Sequence, residues 1–272
     1  MAGSLLDRAW RIVSLLAANA AGLPLQRIVD ELNLPKSGGH RLLVELMRLG
    51  LARQDPVTGH YLLTTKLLSL GFTYLSSTGV IDVSQPILDA LARDCGELVR
   101  LTVVDGRQLT WVAKAQGTKS GLRYDPEMGQ HPVLFCTATG QAWLATLKDE
   151  AALELATAEG FGRFGEHGPN APRTISGFLK KLQRVRQDGY AAVVESAAVG
   201  ASAMAAAIVH PSTGHAIGTV SIAGPTFRLS EQKMRELAPR LLLAANELSR
   251  TSIGSDYLTD VSRSSAAVSR AR

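Results

Sequence analysis

The stretch LPLQRIVDELNLPKSGGHRLLVELMRLGLARQDPVTGHYLLT, residues 23–64, decides the fold of the first part of the chain. Apolar residues recur at helical spacing over residues 25–32 and again over residues 42–49. Two short strand-like runs then flank PVTG, a turn sequence. An amphipathic helix beginning at the N-cap Ser4 precedes the stretch. Three helices followed by a hairpin predict a winged helix-turn-helix domain at residues 1–65.

The third helix is the predicted reader of DNA. In a helix-turn-helix, the second helix of the pair enters the major groove with its N-terminal residues toward the base edges. We expect Ser37 to be its N-cap. Arg41 can donate two hydrogen bonds to guanine and His40 one, whereas Lys36 and Ser37 suit phosphate. The buried side of this helix is expected to carry Leu42, Leu43, Leu46 and Leu49.

Gly38 and Gly39 are unexpected in the first turn of that helix, since each glycine costs about 1 kcal/mol relative to alanine. One explanation is close approach of the bare backbone to a phosphate, aided by the helix dipole. The other is a first turn that frays in the free protein and becomes ordered on DNA. On the hairpin, Arg53 and His60 are candidates for a wing contact or for ordinary solvated surface positions.

The distribution of charge agrees with a DNA partner. The net charge is +5, and residues 1–80 carry eight Lys and Arg against five Asp and Glu. Such a mild excess is common on protein surfaces. It therefore supports the motif without being decisive.

The second part of the chain mixes helix and strand periodicity. Residues 66–77 predict a linker helix with an apolar face through Leu67, Leu70 and Tyr74, and SSTG marks a domain boundary near residue 80. Hairpin-connected strands with flanking helices over residues 81–250 predict an α+β domain around an antiparallel sheet. Residues 251–272 are rich in serine and weakly patterned, which predicts a flexible tail.

Other functional classes find less support. No apolar run is long enough to span a bilayer and no signal peptide is present, so we expect a cytoplasmic protein without a membrane partner. The motifs G-x-S-x-G, H-E-x-x-H and G-x-x-x-x-G-K are absent, so we expect no catalysis, metal or cofactor. His131 and Cys136 form the one imaginable catalytic pair, but a strand would place them on opposite faces. Besides a regulator that responds to a ligand and an enzyme with a DNA-binding module, a DNA-binding protein without a ligand is a third possible class.

The ordered set of segments resembles the IclR-type bacterial transcription regulators over residues 5–249. The resemblance rests on residues 23–71, on GQHPVLFCTATGQAWLA, on RVRQDGYAAVVESAAVGASAMAAAIV, and on GTVSIAGPTFRLSEQKMRELAP. It implies a GAF-like effector-binding domain after the linker helix and assembly into dimers or dimers of dimers. It also implies control of the catabolism of small organic or aromatic acids. Because a single module of this size buries too little surface for tight specific recognition, we expect two copies to bind a pseudo-palindromic DNA operator.

The resemblance also implies where the effector binds. Arg123 is the expected cation, and a buried hydroxyl at Ser221 needs a hydrogen-bond partner. Val193 and Met204 could instead be ordinary core residues, and Thr137 could instead be the N-cap of a helix. The residues expected to form the site are Arg123, Phe135, Thr137, Ala138, Thr139, Val193, Ala203, Met204, Ser221 and Ala223.

Two substitutions bear on the size of the ligand. Ala203 stands where the family commonly has cysteine, and Ala223 where some members have a second serine. Both changes favour a roomier and less polar pocket than one built for a two- or three-carbon acid. We therefore expect an aromatic or comparably bulky ligand.

Overall fold

The computed structural model of the chain describes residues 4–125, 131–161, 167–255 and 257–261. The chain divides into two compact units, Met1–Ser77 and Thr78–Arg272. Each unit has its own hydrophobic core. The predicted class, an α+β protein with an N-terminal winged helix-turn-helix, is confirmed.

The first unit consists of three helices and a two-stranded hairpin. The elements are α1 (Leu5–Ala17), α2 (Leu25–Leu32), α3 (Lys36–Arg48), β1 (Ala52–Gln54) and β2 (Tyr61–Leu63). Ile12, Leu16, Ile28 and Leu43 are at most 1% exposed and join the three helices in one core, to which Tyr61 of the hairpin adds its ring. The hairpin strands are antiparallel, as the turn sequence predicts.

The start of α3 differs from the prediction. The helix begins at Lys36, and its N-cap is Pro35 rather than Ser37. Asn33 ends α2 in the left-handed region at φ 52°, and the fixed φ of Pro35 then leads directly into the next helix. Leu49 was expected to be buried but is 45% exposed, because it lies beyond the last turn as the C-cap.

The helix predicted over residues 66–77 is present, and a second helix follows it along the chain. Helix α4 (Lys66–Thr78) is followed by α5 (Val80–Cys95), and only Gly79, at φ 65°, separates them. Leu67 packs against the core of the first unit. Four large apolar side chains of α4 are more than half exposed, namely Leu68, Leu70, Phe72 and Tyr74.

The second unit is built on a five-stranded antiparallel sheet. Its strands are β3 (Leu98–Asp105), β4 (Gln108–Gln116), β5 (Ala191–Val194), β6 (Ala201–Val209) and β7 (Ala216–Pro225). Their order across the sheet is β4-β3-β7-β6-β5. The predicted hairpin between β3 and β4 turns at Gly106, which has φ 58°. The strands predicted around HPSTG are likewise paired, as β6 and β7.

Helices cover both sides of the sheet. The remaining helices are α6 (Ala138–Leu144), α7 (Asp149–Ala158), α8 (Ile175–Asp188) and α9 (Glu231–Thr251). Helices α5 and α9 share one hydrophobic cluster with one side of the strands. Helices α6 and α8 share a second cluster with the other side. The sheet is therefore buried between two helical layers.

Two helices depart from the sequence prediction. The sequence of residues 137–148 predicts a single helix, but α6 ends at Leu144 and a separate α7 begins at Asp149. The hydroxyl of Thr146 donates to the carbonyl of Trp143 at 2.7 Å, a local bond that competes with helix continuation. A proline inside a helix predicts a kink or a break at Pro239, yet α9 runs unbroken through it.

The C-terminal segment is ordered further than expected. A 3-10 turn, Ser252–Gly254, follows α9, and residues 257–261 are helical. The buried hydroxyl of Ser255 donates to the carbonyl of Thr78 at 2.6 Å, and Leu258 joins the core. The prediction of a flexible tail from residue 251 is therefore wrong for this segment, and residues 262–272 lie outside the described residues.

Candidate functional site

Helix α3 presents polar and basic side chains on one side. Its apolar residues Leu42, Leu43 and Leu46 are buried against the first unit's core, which leaves the other side in solvent. No side chain caps its N-terminus, where Pro35 provides only backbone. Uncapped first-turn amides and the positive end of the dipole are suited to a phosphate. The exposed predicted contact residues are Lys36, Ser37, His40 and Arg41.

The two glycines of α3 have different surroundings. A Cβ on Gly38 would meet nothing closer than Pro35, at 3.9 Å. A Cβ on Gly39 would overlap Cγ1 of Val29 on α2, and the amide of Gly39 already donates to the Pro35 carbonyl at 2.9 Å. Gly39 is buried and serves the packing of α2 against α3, so neither explanation offered from the sequence applies to it. Only Gly38 is placed for close approach to a ligand.

The wing is shaped by Asp55. Its carboxylate accepts from the amides of Thr58 and Val57, at 2.8 and 3.0 Å, and from the Thr58 hydroxyl. These bonds, chiefly the one from the Thr58 amide, lower the pKa of Asp55. The side chain of Arg53 is exposed, and its Nη1 lies 4.0 Å from Oδ2 of Asp55, at the limit of an ion pair. His60 is half-buried. A rigid turn thus carries one available cation.

In the second unit, the strands place several predicted effector residues side by side. Val193, Ala203 and Ala223 are neighbours across three strands, and in the row beside them Ala205 lies opposite Ser221. All five lie on the side of the sheet covered by α6, which we call the α6 face. This face is built mainly from small side chains.

Met204 does not belong to the α6 face. Successive strand residues point to opposite sides of a sheet, so Met204 is directed away from its neighbour Ala203. It is fully buried opposite Ile222, in the cluster formed with α5 and α9. Met204 therefore lies on the side of the sheet away from the α6 face, in the ordinary core position that was the alternative for it.

The segment before and within α6 packs tightly. Phe135 is 2% exposed and meets the rings of Phe161 and His167 edge-on, with centroids 5.3 and 5.1 Å away. Thr137 is the N-cap of α6, accepting from the Gly140 amide at 3.0 Å and donating to a backbone carbonyl. Both bonds occupy the Thr137 hydroxyl, which therefore has the N-cap role considered as the alternative to effector binding. Ala138 and Thr139 follow in the first turn, both buried.

The buried cation of this unit is not the predicted one. Arg123 is exposed, and its Nε donates to the Thr118 carbonyl at 3.3 Å. Arg100 is only 6% exposed and lies on the α6 face opposite Ser221, whose hydroxyl donates to the Arg100 carbonyl at 3.4 Å. Sequence reasoning overlooked Arg100. The available signal was a charged residue in the middle of the apolar run LVRLTVV.

The imagined catalytic pair is not set up for chemistry. Residues 131–136 form a loop and turn rather than a strand. His131 Nδ1 lies 2.9 Å from the Leu109 carbonyl. Burial raises the pKa of Cys136 to about 12, so the thiol stays protonated at neutral pH and is a poor nucleophile. In the described part of the chain, no three His, Cys, Asp or Glu side chains are grouped to hold a metal, and no helix is suited to crossing a bilayer.

A cleft of about 720 Å³ opens at the edge of the sheet between α8, β5 and α9. Val193 contributes to its wall, but many of the other side chains there are charged. They include Lys181, Arg184, Asp188, Glu231 and Arg235. With its charged side chains, this open cleft is unlike the pocket expected for a bulky organic effector.

A winged helix-turn-helix with a polar recognition helix, joined to a separate α+β unit, defines a DNA-binding transcriptional regulator. The family models of the IclR helix-turn-helix domain and of the bacterial transcriptional regulator IclR C-terminal domain match residues 5–56 and 72–250. The chain belongs to the IclR family.

Individual relatives agree with this family assignment. The acetate operon repressor of Salmonella typhimurium is 26% identical over 247 residues, which cover 89% of this chain and 88% of the repressor. An IclR regulator from Alicyclobacillus acidocaldarius has a TM-score of 0.78 at 22% identity, with 91% of this chain and 98% of that one covered. An IclR homolog from Microbacterium hydrocarbonoxydans, solved with 4-hydroxybenzoate, has a TM-score of 0.76 at 18% identity, covering 93% and 100%.

Proposed function

We propose that the protein is a ligand-responsive regulator whose effector is a small, aromatic organic acid and whose target genes serve its catabolism. The observation that carries this proposal is the α6 face, where small side chains surround the hydroxyl of Ser221. Ala203 and Ala223 are smaller than the cysteine and serine that family members carry at these positions, which favours a bulkier ligand. The complex of the Microbacterium homolog with 4-hydroxybenzoate supports the same ligand class.

In this proposal, α3 binds DNA through a few of its exposed residues. Arg41 and His40 read base edges, while Lys36, Ser37 and the bare backbone of Gly38 meet phosphates. Arg53 and His60 belong to the wing and contact the adjacent backbone. Two copies of the chain bind a pseudo-palindromic operator, as a dimer or a dimer of dimers, because a single module buries little surface for specific recognition.

The effector acts only through its different affinity for the DNA-competent and DNA-incompetent forms. The test is fluorescence anisotropy with a labelled fragment from the protein's own promoter region. 4-Hydroxybenzoate and benzoate should change the apparent affinity for that fragment, whereas pyruvate and glyoxylate should not. A response confined to the two small acids would overturn the aromatic ligand class.

A substitution on the α6 face tests whether the effector binds there. Ala203→Phe should fill the space on the α6 face and abolish the response to aromatic acids while operator binding persists. A matched change, Ala192→Phe, enlarges an exposed alanine of the neighbouring strand on the side of the sheet away from α6, and it should keep the response. A full response in Ala203→Phe would mean that the α6 face does not hold the effector.

A further inference from the structure

The most unusual side chain of the second unit is the buried guanidinium of Arg100. Arginine is seldom fully buried unless it is paired, because removing its charge from water is costly. The Nε and Nη1 atoms of Arg100 have no hydrogen-bond partner within the described residues. The pKa of Arg100 is lowered to about 10, chiefly by burial, so the group is still a cation at neutral pH.

A second donor without an acceptor lies beside it. The guanidinium carbon of Arg100 stands 4.0 Å from the ring centroid of Trp111, and the indole Nε1 is also buried with no partner within the described residues. Trp111 is opposite Thr102, which shares the α6 face with Arg100 through the register with β7. Three N–H donors therefore meet on one face where the described part of the chain supplies no acceptor.

The nearby charges do not compensate for Arg100. Lys114 is its direct neighbour across β3 and β4, so two cations stand side by side. Tyr124 and Asp125 are near enough to favour the charged form of Arg100 but do not offset its burial, and Asp125 Oδ1 lies 2.6 Å from Lys114 Nζ. A contrast within the same unit is Arg228, whose guanidinium makes two bonds, at 2.6 and 2.9 Å, to the buried carboxylate of Glu97.

We propose that Arg100 and the indole N–H of Trp111 form the anchor for the carboxylate of the effector. The proposal rests on the proposed function and deepens it, because it names an acidic group as obligatory and assigns the residues that bind it. Arg100 offers Nε and Nη1 to the carboxylate, and Trp111 offers its indole N–H. Arg123, the cation expected from the sequence, is outside this anchor.

Matched acids and amides test the anchor. Thermal shift and calorimetry on the full chain compare benzoate with benzamide, 4-hydroxybenzoate with 4-hydroxybenzamide, and pyruvate with pyruvamide. We expect an acid to bind the unmodified chain and its amide to bind at least about thirtyfold more weakly, because the amide leaves the buried cation unpaired.

Three variants then determine which side chains bind the carboxylate. Arg100→Met should lose acid binding by a similar factor, Trp111→Phe by roughly tenfold through loss of one N–H, and Arg123→Met should keep it. Without ligand, Arg100→Met should also raise the melting temperature by about 2–4 °C, because it removes an unpaired buried charge. Circular dichroism verifies that each variant is folded.

The possible failures are distinct. If an acid binds Arg100→Met as tightly as the unmodified chain, or if Arg123→Met loses it instead, the anchor is overturned and the proposed function stands. If an amide binds as well as its acid, the obligatory carboxylate is overturned. If no acid binds or changes operator affinity, the organic-acid effector is itself overturned, and with it the anchor.

Discussion

At the scale of single residues, Gly38 and Gly39 are neighbours that should respond to the same substitution in opposite ways. Gly38→Ala should stabilise the first unit by up to about 1 kcal/mol, since alanine is the better helix former and nothing obstructs its methyl group. Gly39→Ala gains the same propensity but meets Val29, and overpacking costs about 1–3 kcal/mol. Urea unfolding followed by circular dichroism measures both.

The double variant Val29→Ala with Gly39→Ala is the control. With the branched side chain of Val29 removed, alanine at position 39 should become favourable relative to glycine. If Gly39→Ala has the same effect in both backgrounds, contact with Val29 is not the reason for the glycine.

If Gly38→Ala stabilises the protein and weakens operator binding, close approach of the backbone to phosphate is supported for that position.

Arg41 should carry base preference. Arg41→Ala is expected to lower operator affinity by about 1–3 kcal/mol and to relax the preference for operator over random DNA, provided that Arg41 bonds a guanine. Glu45→Ala, one turn further along and away from the N-terminus, serves as the comparison, since Glu45 pairs with Arg48 at 2.8 Å. Equal losses on operator and random DNA would assign Arg41 to phosphate instead.

At the scale of elements, α4 exposes apolar side chains on two opposite sides, Leu68 with Phe72 and Leu70 with Tyr74. Such a surface on one chain is suited to pairing with a second copy. The sequence placed the pairing face at Leu67, Leu70 and Tyr74, but Leu67 is already packed in the first unit, which leaves Leu70 as the central residue. Leu70→Lys should therefore dissociate dimers and weaken operator binding on the order of 100-fold.

Sedimentation equilibrium measures the dimerisation. Leu68→Lys is the matched control, because Leu68 is 59% exposed on the opposite side of the same helix and Leu70 is 57% exposed. Dissociation by Leu68→Lys alone would move the pairing face to the other side of α4. Unchanged association in both variants would exclude this helix as the dimer contact.

Elements with clear end signals were predictable, and those with local interruptions were not. Thr174 and Gly189 bound α8 as expected, because a hydroxyl N-cap and a left-handed glycine C-cap are encoded by single residues. The break between α6 and α7 depends on the bond from Thr146 to a carbonyl, which no periodicity reveals. Met204 was misplaced because its neighbours Ala203 and Ala205 conceal the alternation of the strand.

At the scale of the whole molecule, the C-terminal segment belongs to the fold. Truncation after Arg250 removes Ser252, Ser255 and Leu258, three residues that are at most 8% exposed. Loss of the Leu258 side chain alone should cost about 1.5–3 kcal/mol of burial. The melting temperature should be lower after truncation at Arg250 than after truncation at Val261. Equal melting temperatures for the two would show that the segment contributes nothing to stability.

The candidate site was predictable in outline only. The positions of Ser221, Ala203 and Ala223 on one face follow from strand alternation and the family resemblance. The burial of Arg100 rather than Arg123 was not predictable, because burial of a charge depends on tertiary contacts and a charged residue in an apolar strand looks unfavourable from sequence alone. Its absence of a partner among the described residues is visible only in three dimensions.

The division of the chain near Ser77 has a consequence for inheritance. Every residue that we propose for DNA contact precedes that point, and every residue proposed for the effector follows it. Recombination between two related genes at the linker can therefore exchange the chemical signal and leave the target promoter unchanged. Descendants of one ancestor can in this way come to respond to new nutrients while keeping the binding sites already present in a genome.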